Sequence, residues 1–395
     1  MDRLHNPFAP GAGTPPPALA GREEILENAT ITLARIRDGR PAKSFLLVGL
    51  RGVGKTVLLN RIQDIAEGQG YRAVAIEAPE NKRLPALLIP PLRQVLLALD
   101  RYEQVSTQVK RGLRILKAFA ASIKITVGEI DIGLDIDPEI GTADSGDLEA
   151  DLPELLVAVA QAAQSRRVPV AIIIDEMQYL NEDELSALIM AIHKIAQKQL
   201  PLVLIGAGLP QLVGLTGKSK SYAERLFDFP KIDRLKEQDA RNALQEPVKR
   251  EDVSFDDEAL TEIIEMTLGY PYFLQEWGYH AWNIATFSPI GRDVIRAANV
   301  AVVQRLDESF FRVRFDRLTP REKGYLRAMA ELGLGPHRSG DIADMLGIHV
   351  HSAAPLRSGL IKKGMIYSPA HGDTAFTVPL FDAFMKRIMP AWTPK

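Results

Sequence analysis

Eight consecutive residues near the start of the chain have the types and spacing of a phosphate-binding loop. They read Gly-Leu-Arg-Gly-Val-Gly-Lys-Thr over positions 49–56, which satisfies the pattern G-x-x-x-x-G-K-[ST]. Glycines let backbone N–H groups curve around a phosphate, lysine places a positive charge on its oxygens, and a threonine hydroxyl is a ligand for Mg²⁺. The residues expected to bind ATP or ADP here are Gly49, Arg51, Gly52, Val53, Gly54, Lys55, Thr56 and Val57.

Two adjacent carboxylates could complete this site. Asp175 and Glu176 follow four apolar residues, Ala171 to Ile174, which are typical of a buried parallel strand. Ligands of open α/β sheets bind at the carboxyl ends of such strands. Asp175 is therefore expected to bind Mg²⁺ together with Thr56, and Glu176 to polarise the attacking water as a general base. Capping of a solvated strand end is the alternative interpretation of the pair.

Short apolar runs and helical patterns alternate around these residues. The runs at residues 44–48, 71–78, 170–174 and 202–205 are separated by segments with helical spacing. This alternation predicts an α/β fold, namely a P-loop NTPase αβα sandwich with a parallel sheet. A β-hairpin is predicted at residues 122–137, inside an insertion covering about 80–154.

Together these motifs resemble the AAA+ superfamily of P-loop ATPases, in the branch that contains origin-recognition ATPases, archaeal-type ATPases and STAND switch proteins. Gly21-Arg22-Glu23 resembles the branch's GRE box, which implies that Arg22 lies near the adenine base. Residues 175–178, Asp-Glu-Met-Gln, are similar to its DE-x-Q motif. Gly269-Tyr270-Pro271 resembles the STAND G-x-P motif, which implies that Pro271 packs beside the nucleotide. An ordinary helix boundary would explain the same Gly-Pro pair.

The resemblance also has two departures that bear on hydrolysis. Residues 206–208, Gly-Ala-Gly, offer no polar residue where many relatives place one near the γ-phosphate, and the lid motif contains no arginine. Arg225 lies where relatives often carry an arginine that reaches a neighbouring subunit's nucleotide, and it is the candidate for that catalytic role. A surface arginine or an ion-pair partner is the alternative for Arg225.

The C-terminal residues have the pattern of a winged helix-turn-helix domain. Residues 319–389 predict three short helices followed by a two-stranded ribbon, and this arrangement resembles the domain that follows the lid in origin-recognition ATPases. Residues 301–395 carry 14 Lys/Arg and 9 Asp/Glu, whereas the whole chain has a net charge of −2. The side chains expected to contact DNA are Ser352, Arg357, Lys362 and Lys363. A surface for protein contacts is the alternative.

Composition excludes several other kinds of site. The chain has 395 residues, of which 46% are hydrophobic and none is Cys, so thiolate metal centres and disulfides are absent. Its 7 His form no metal-ligand motif. We expect a cytoplasmic protein, because the sequence contains neither a secretion signal nor an apolar run long enough to span a membrane.

These observations predict an ATPase of three parts, a core, a lid and a winged helix, preceded by an N-terminal strap. The expected parts are an N-terminal proline-rich strap and GRE box at residues 1–43, an ATPase core at 44–232, a helical lid at 233–305 and a winged helix at 306–395. We expect Mg²⁺-dependent ATP hydrolysis that couples nucleotide state to assembly, as a homo-oligomer or with a protein partner, and to DNA or protein binding. The alternative is a slow, STAND-like nucleotide-gated switch that is not a significant hydrolase.

Overall fold

The computed structural model describes residues 1–11, 13–100, 106–123 and 136–393. Most of the predicted hairpin at 122–137 lies outside the described residues. In the described part of the chain, no helix is long and apolar enough to cross a membrane.

The first part of the chain is a parallel sheet covered by helices on both faces. Its strands are β1 (Ser44–Gly49), β2 (Arg72–Glu77), β3 (Val170–Asp175), β4 (Leu202–Gly208), β5 (Phe227–Asp228) and β6 (Lys231–Ile232). The order is β2-β3-β4-β1-β5, with β6 also paired to β1, and every pairing is parallel. Strands β1 and β4 are buried along their whole length, as expected for strands covered on both faces. The predicted αβα fold with a parallel sheet is confirmed.

Eight helices accompany this sheet in the described residues. They are α1 (Glu23–Arg37), α2 (Lys55–Gly68), α3 (Leu84–Asp100), α4 (Thr107–Ser122), α5 (Leu148–Arg166), α6 (Glu182–Gln197), α7 (Gln211–Ser219) and α8 (Ala223–Leu226). One apolar cluster joins one sheet face to the helices inserted between β2 and β3, and a second cluster lies on the opposite face beneath α1 and α2. The sheet therefore holds the loops at its carboxyl edge between two packed layers.

Four helices follow the sheet where the lid was predicted. They are α9 (Glu237–Lys249), α10 (Asp257–Thr267), α11 (Pro271–Ile284) and α12 (Arg292–Arg305). Pro271 occupies the first turn of α11, where a missing N–H costs no hydrogen bond.

The residues from 306 to 393, which we call the C-terminal module, begin with a π-helical turn at Leu306–Phe311. Its other elements are α13 (Arg312–Asp316), α14 (Pro320–Glu331), β7 (His337–Arg338), α15 (Ser339–Met345), α16 (Val350–Lys362), β8 (Ile366–Tyr367), β9 (Asp373–Phe376) and α17 (Phe381–Ile388). The strands form an antiparallel sheet in the order β7-β9-β8. Thr319 caps α14 in a reciprocal capping box with Glu322. The lid and the C-terminal module share one continuous apolar cluster, which includes Phe273, Phe311 and Phe384.

The N-terminal strap packs against the lid. Phe8 is buried against Phe255 and Gly278, with the two phenyl centroids 6.3 Å apart. The Asn6 side chain donates to the carbonyl oxygen of Tyr279 at 3.0 Å. These contacts anchor the strap on the lid. Ala9, Pro10 and Gly11, which follow Phe8, line the cavity described next.

Candidate nucleotide-binding site

A cavity of about 500 Å³ lies between the carboxyl edge of the sheet, the lid and the strap. Its lining includes Lys55 and Thr56 of the loop between β1 and α2, the two carboxylates after β3, and Pro271 of the lid. The loop reaches this shape because Gly52 and Gly54 have φ values of 78° and 92°, which side chains rarely adopt. Residues of the predicted nucleotide set that line the cavity are Arg22, Arg51, Gly52, Val53, Gly54, Lys55, Thr56, Val57 and Pro271.

Lys55 is buried at the start of α2. Its ammonium group donates to the carbonyl oxygens of Gly49 and Leu50, at 2.9 and 2.8 Å. Burial lowers the pKa of Lys55 to about 8, because desolvation outweighs the attraction of Glu176 and Asp175. The cavity therefore holds a cation that an anionic ligand would stabilise. Gly49 is the loop residue that packs beneath the site, since a Cβ there would meet the carbonyl oxygen of Ile232 at 2.2 Å.

Thr56 and Asp175 come together across the sheet edge. The Thr56 hydroxyl donates to Asp175 Oδ2 at 2.6 Å, and the Glu176 backbone N–H donates to Asp175 Oδ1 at 2.7 Å. Desolvation raises the pKa of Asp175, and the hydrogen bond from Thr56 partly offsets this. A hydroxyl and a carboxylate are the hard oxygen donors that Mg²⁺ prefers, so this pair fits the metal. No cluster of three or more His, Asp or Glu suited to a metal occurs among the described residues, so water or phosphate oxygens would supply the other ligands.

Glu176 is held by two side chains. Gln178 donates its amide to the Glu176 carboxylate, and Arg51 Nη1 lies 3.7 Å from Glu176 Oε1. The backbone of Glu176 is left-handed, with φ of 54°, an uncommon conformation for a residue other than glycine. The carboxylate thus faces the cavity but is restrained by its neighbours.

Gln178 explains the small residues at the end of β4. Its side-chain oxygen accepts from the backbone N–H of Leu209 at 3.0 Å. A Cβ at Gly208 would lie 2.9 Å from that oxygen, and one at Gly206 would lie 2.1 Å from the Met177 sulfur. Side chains at positions 206 and 208 would therefore clash, and the polar group beside Glu176 comes from Gln178. The sequence signal was the DE-x-Q motif paired with Gly-Ala-Gly.

Arg22 ties the helix before the sheet to the loop. It is buried, and its guanidinium donates to the carbonyl oxygens of Val53, at 3.3 Å, and Asp233. Desolvation lowers its pKa, although Asp239, Asp233 and Glu23 favour the charged form. Arg22 therefore lines the cavity from the side on which the strap and lid meet.

The lid and the C-terminal module both touch the phosphate loop. The backbone N–H of Tyr272 donates to the Gly52 carbonyl oxygen at 3.2 Å, and that of Arg51 donates to Thr377 at 3.1 Å. Arg51 Nη2 also donates to the Tyr179 hydroxyl at 2.7 Å. Arg314, from α13, lines the cavity as well, a residue that the sequence analysis did not select.

The remaining predicted residues lie elsewhere. Arg225 is exposed on α8 and does not line the cavity. Arg357, expected to face DNA, donates instead to Thr374 at 2.9 Å, to Ser368 at 2.8 Å and to the Asp373 carbonyl oxygen at 2.9 Å. Lys363 donates to Glu322 at 2.7 Å and to the Arg317 carbonyl oxygen. Ser352 and Lys362 are exposed on α16. Two of the four expected DNA contacts are thus engaged within the C-terminal module.

Two family models match parts of the chain. Residues 18–205 match one described as "AAA ATPase domain", and residues 308–385 match one described as "Domain of unknown function (DUF8462)". No curated protein sequence matches the chain.

Several solved structures have a similar fold. A Walker-type ATPase of Pyrococcus abyssi is 17% identical with a TM-score of 0.60, and the match covers 93% of this chain and 96% of that one. The RuvB Holliday junction branch migration motor of Thermotoga maritima is 15% identical, with coverage of 95% and 96% and a TM-score of 0.44. The Aeropyrum pernix Orc1 protein in complex with DNA is 14% identical, with coverage of 94% and 93% and a TM-score of 0.46.

The last two likenesses, with TM-scores under 0.5, do not bear on function. Residues 18–205 are thus similar to an AAA ATPase domain, and the likeness to the Pyrococcus protein supports a shared fold.

Proposed function

We propose that this protein binds ATP in the cavity beside Lys55, hydrolyses it with Mg²⁺, and uses nucleotide state to control its C-terminal module. The observation that carries the proposal is the 2.6 Å contact between Thr56 and Asp175, at the mouth of a buried, lysine-containing phosphate loop. The proposal thus assigns phosphate binding, a metal position and a carboxylate for water activation to one cavity.

Each side chain has a defined task in this proposal. Lys55 would exchange its two carbonyl acceptors for the β- and γ-phosphate oxygens, and Thr56 and Asp175 would hold Mg²⁺, which neutralises developing phosphate charge when bound. Glu176 would accept a proton from the attacking water. Its pairing with Arg51 and Gln178 must loosen for this step, so we expect slow basal turnover.

Phosphate release by the wild type and by Glu176→Gln, at several protein concentrations and with or without DNA, tests hydrolysis. Loss of a general base typically costs 10²- to 10⁴-fold in rate. The exposed Glu182→Gln is the matched control and should retain wild-type turnover. If wild type and Glu176→Gln release phosphate equally slowly, hydrolysis is rejected.

A nucleotide-gated switch without significant hydrolysis is the second candidate. It is favoured by the restraint of Glu176 and by the lack of space for a polar side chain at Gly208. A switch would bind ATP or ADP tightly and hold its state between binding events. Tight nucleotide binding with no difference between wild type and Glu176→Gln would favour this candidate.

Arg225 is proposed to act on the nucleotide of a neighbouring subunit. Its exposure on α8, away from the cavity of its own chain, is compatible with that role. Arg225→Ala should keep ATP binding and lose any concentration-dependent turnover, whereas the exposed Lys218→Ala should not. Unchanged concentration dependence in Arg225→Ala would reject the assignment.

We propose that the C-terminal module is a winged helix that binds a partner through α16. The order of three helices followed by the β8–β9 ribbon supports this, and Ser352 and Lys362 are exposed on α16. If the partner is DNA, affinity should fall steeply with added salt, because phosphate contacts release counterions. A flat salt response would favour a protein partner.

A further inference from the structure

Arg314 adds a third arginine to the lining of the nucleotide cavity, after Arg22 and Arg51, and it comes from outside the ATPase core. It belongs to α13, a helix of five residues that follows the π-helical turn after the lid. Its guanidinium carbon lies 4.2 Å from the centroid of the Phe310 ring, and it donates to the Phe310 carbonyl oxygen. These two contacts fix the guanidinium against the cavity wall.

Arg314 has no carboxylate partner among the described residues. Its neighbours on either side are paired, Arg312 with Asp316 at 3.4 Å and Arg317 with Glu80 at 2.7 Å. Burial, together with the like charge of Arg51, lowers the pKa of Arg314 to about 10. Arg314 is half-buried, and Glu176 is the carboxylate whose charge acts on both Arg314 and Arg51. Two arginines beside one carboxylate leave an excess of positive charge that a further anion would stabilise.

The position of the Arg314 guanidinium in the cavity indicates which anion would bind to it. Arg314 lines the cavity together with Arg51, Lys55 and Glu176, and it is close enough to Arg51 and Glu176 for their charges to act on it. In the proposed function this is the side on which water attacks the last phosphate of ATP. ADP lacks that phosphate.

We propose that Arg314 binds the terminal phosphate of ATP in the same chain and so makes the docking of the C-terminal module depend on ATP rather than ADP. The inference rests on the proposed function, since it requires ATP in the cavity. The lid motif at residues 269–272 carries no arginine, and in this proposal Arg314 supplies the charge from the C-terminal module.

The packing explains how one contact could move a whole module. Phe311 and Phe315, on either side of Arg314, belong to the apolar cluster shared by the lid and the C-terminal module. The phenyl rings of Phe311 and Phe384 stack with centroids 5.2 Å apart. A displacement of Arg314 would therefore be transmitted to the packed residues around it, including those of α17.

Binding of ADP and of a non-hydrolysable ATP analogue, with Mg²⁺, tests the inference. Arg314→Met keeps an apolar stem on Phe310, and we expect it to weaken analogue binding by about tenfold while ADP binding changes less than about twofold. The matched control is Arg312→Ala on the same helix, which should leave both affinities unchanged. An unaltered ratio of the two affinities in Arg314→Met would overturn the inference and leave the proposed function intact.

Failure of the proposed function can be distinguished from failure of this inference. If the wild type binds neither nucleotide, the proposed function fails, and the inference fails with it. If Arg314→Met does not fold, Arg314→Gln, which can still donate to the Phe310 carbonyl oxygen, replaces it with the same expected result.

Docking can be observed directly because the chain has no Cys. Cysteines introduced at the exposed Lys198 and Ala370 would carry a pair of distance labels, one on the core and one on the module. We expect the ATP analogue, and not ADP, to narrow the distance distribution in the wild type, and neither to do so in Arg314→Met. An equal response in both proteins would reject the coupling.

Discussion

The backbone N–H of Arg51, in the phosphate loop, donates a hydrogen bond of 3.1 Å to the carbonyl oxygen of Thr377, in the C-terminal module. The same arginine contacts the Tyr179 hydroxyl and lies near Glu176 with its side chain. One residue of the loop is therefore in contact with the module and with the candidate base. A change in docking must change the environment of the carboxylate.

The ion pair between Arg317 and Glu80 should help to hold the module on the core. Both side chains are partly exposed, so the pair should contribute about 0–1 kcal/mol to overall stability. Arg317→Glu replaces the attraction to Glu80 by a repulsion. It should broaden the distribution of distances between labels at Lys198 and Ala370. Adding Glu80→Arg should restore it, and the exposed Arg321→Glu should have no effect. Failure of the charge swap to restore the distance would show that the pair does not govern docking.

When nucleotide binds above neutral pH, the Lys55 side chain should take up a proton. The pKa of Lys55 is about 8 in the free protein because the ammonium is buried, and phosphate oxygens would favour its charged form and raise that pKa. Proton uptake should be absent well below pH 8 and should approach one proton per nucleotide above it, with affinity falling as pH rises. Calorimetry in buffers of different ionisation enthalpy measures this, and Lys55→Arg, which stays charged, is the control. Pure proton release at pH 8.5 would contradict the assignment.

Arg357 and Lys362 should separate stability from partner binding. Arg357→Ala removes three hydrogen bonds and leaves the buried Thr374 hydroxyl without this donor, which should cost about 1–3 kcal/mol in the free energy of unfolding. Lys362→Ala, on the exposed face, should change stability by less than about 0.5 kcal/mol. If DNA is the partner, only Lys362→Ala should lower the salt dependence of binding while leaving the fold intact. Denaturant unfolding and DNA titrations check the two effects.

One methyl group added at Gly278 should disturb the packing of the strap on the lid. A Cβ at Gly278 would lie 2.6 Å from the Phe8 ring, so Gly278→Ala must displace the strap or the helix beneath it. We expect a loss of about 1–3 kcal/mol in the free energy of unfolding. ATP affinity should also fall, since Ala9 to Gly11 line the cavity. The matched helical glycine, Gly214, has open space around it, and Gly214→Ala should be neutral or stabilising.

The phosphate loop, the two carboxylates and the parallel sheet were predictable because each depends on contiguous residues. An apolar strand followed by Gly-rich sequence, Lys55 and Thr56 fixes a strand, a loop and a helix in order. The approach of Thr56 to Asp175 follows from the common carboxyl edge of parallel strands. Local pattern and topology were sufficient for these elements.

Arg314 and Thr377 were not predictable in the same way. Their position at the cavity depends on how the C-terminal module packs against the core, and no local periodicity encodes that arrangement. The same limitation explains why Arg357 and Lys363 were assigned to a DNA-facing surface, since their acceptors, Thr374 and Glu322, come from other elements of the module. The sequence signal at Arg314 was its position among the aromatic residues Phe310, Phe311 and Phe315.

The apolar cluster that joins the lid to the C-terminal module has a mechanical consequence. A boundary drawn at residue 306 would cut through Phe273, Phe311 and Phe384 packing, so the two parts should unfold together and move together. We therefore expect any movement of these parts relative to the sheet to occur about residues 233–236, between β6 and α9. The sheet and the body that follows residue 236 would then move as two units, with the candidate nucleotide cavity between them.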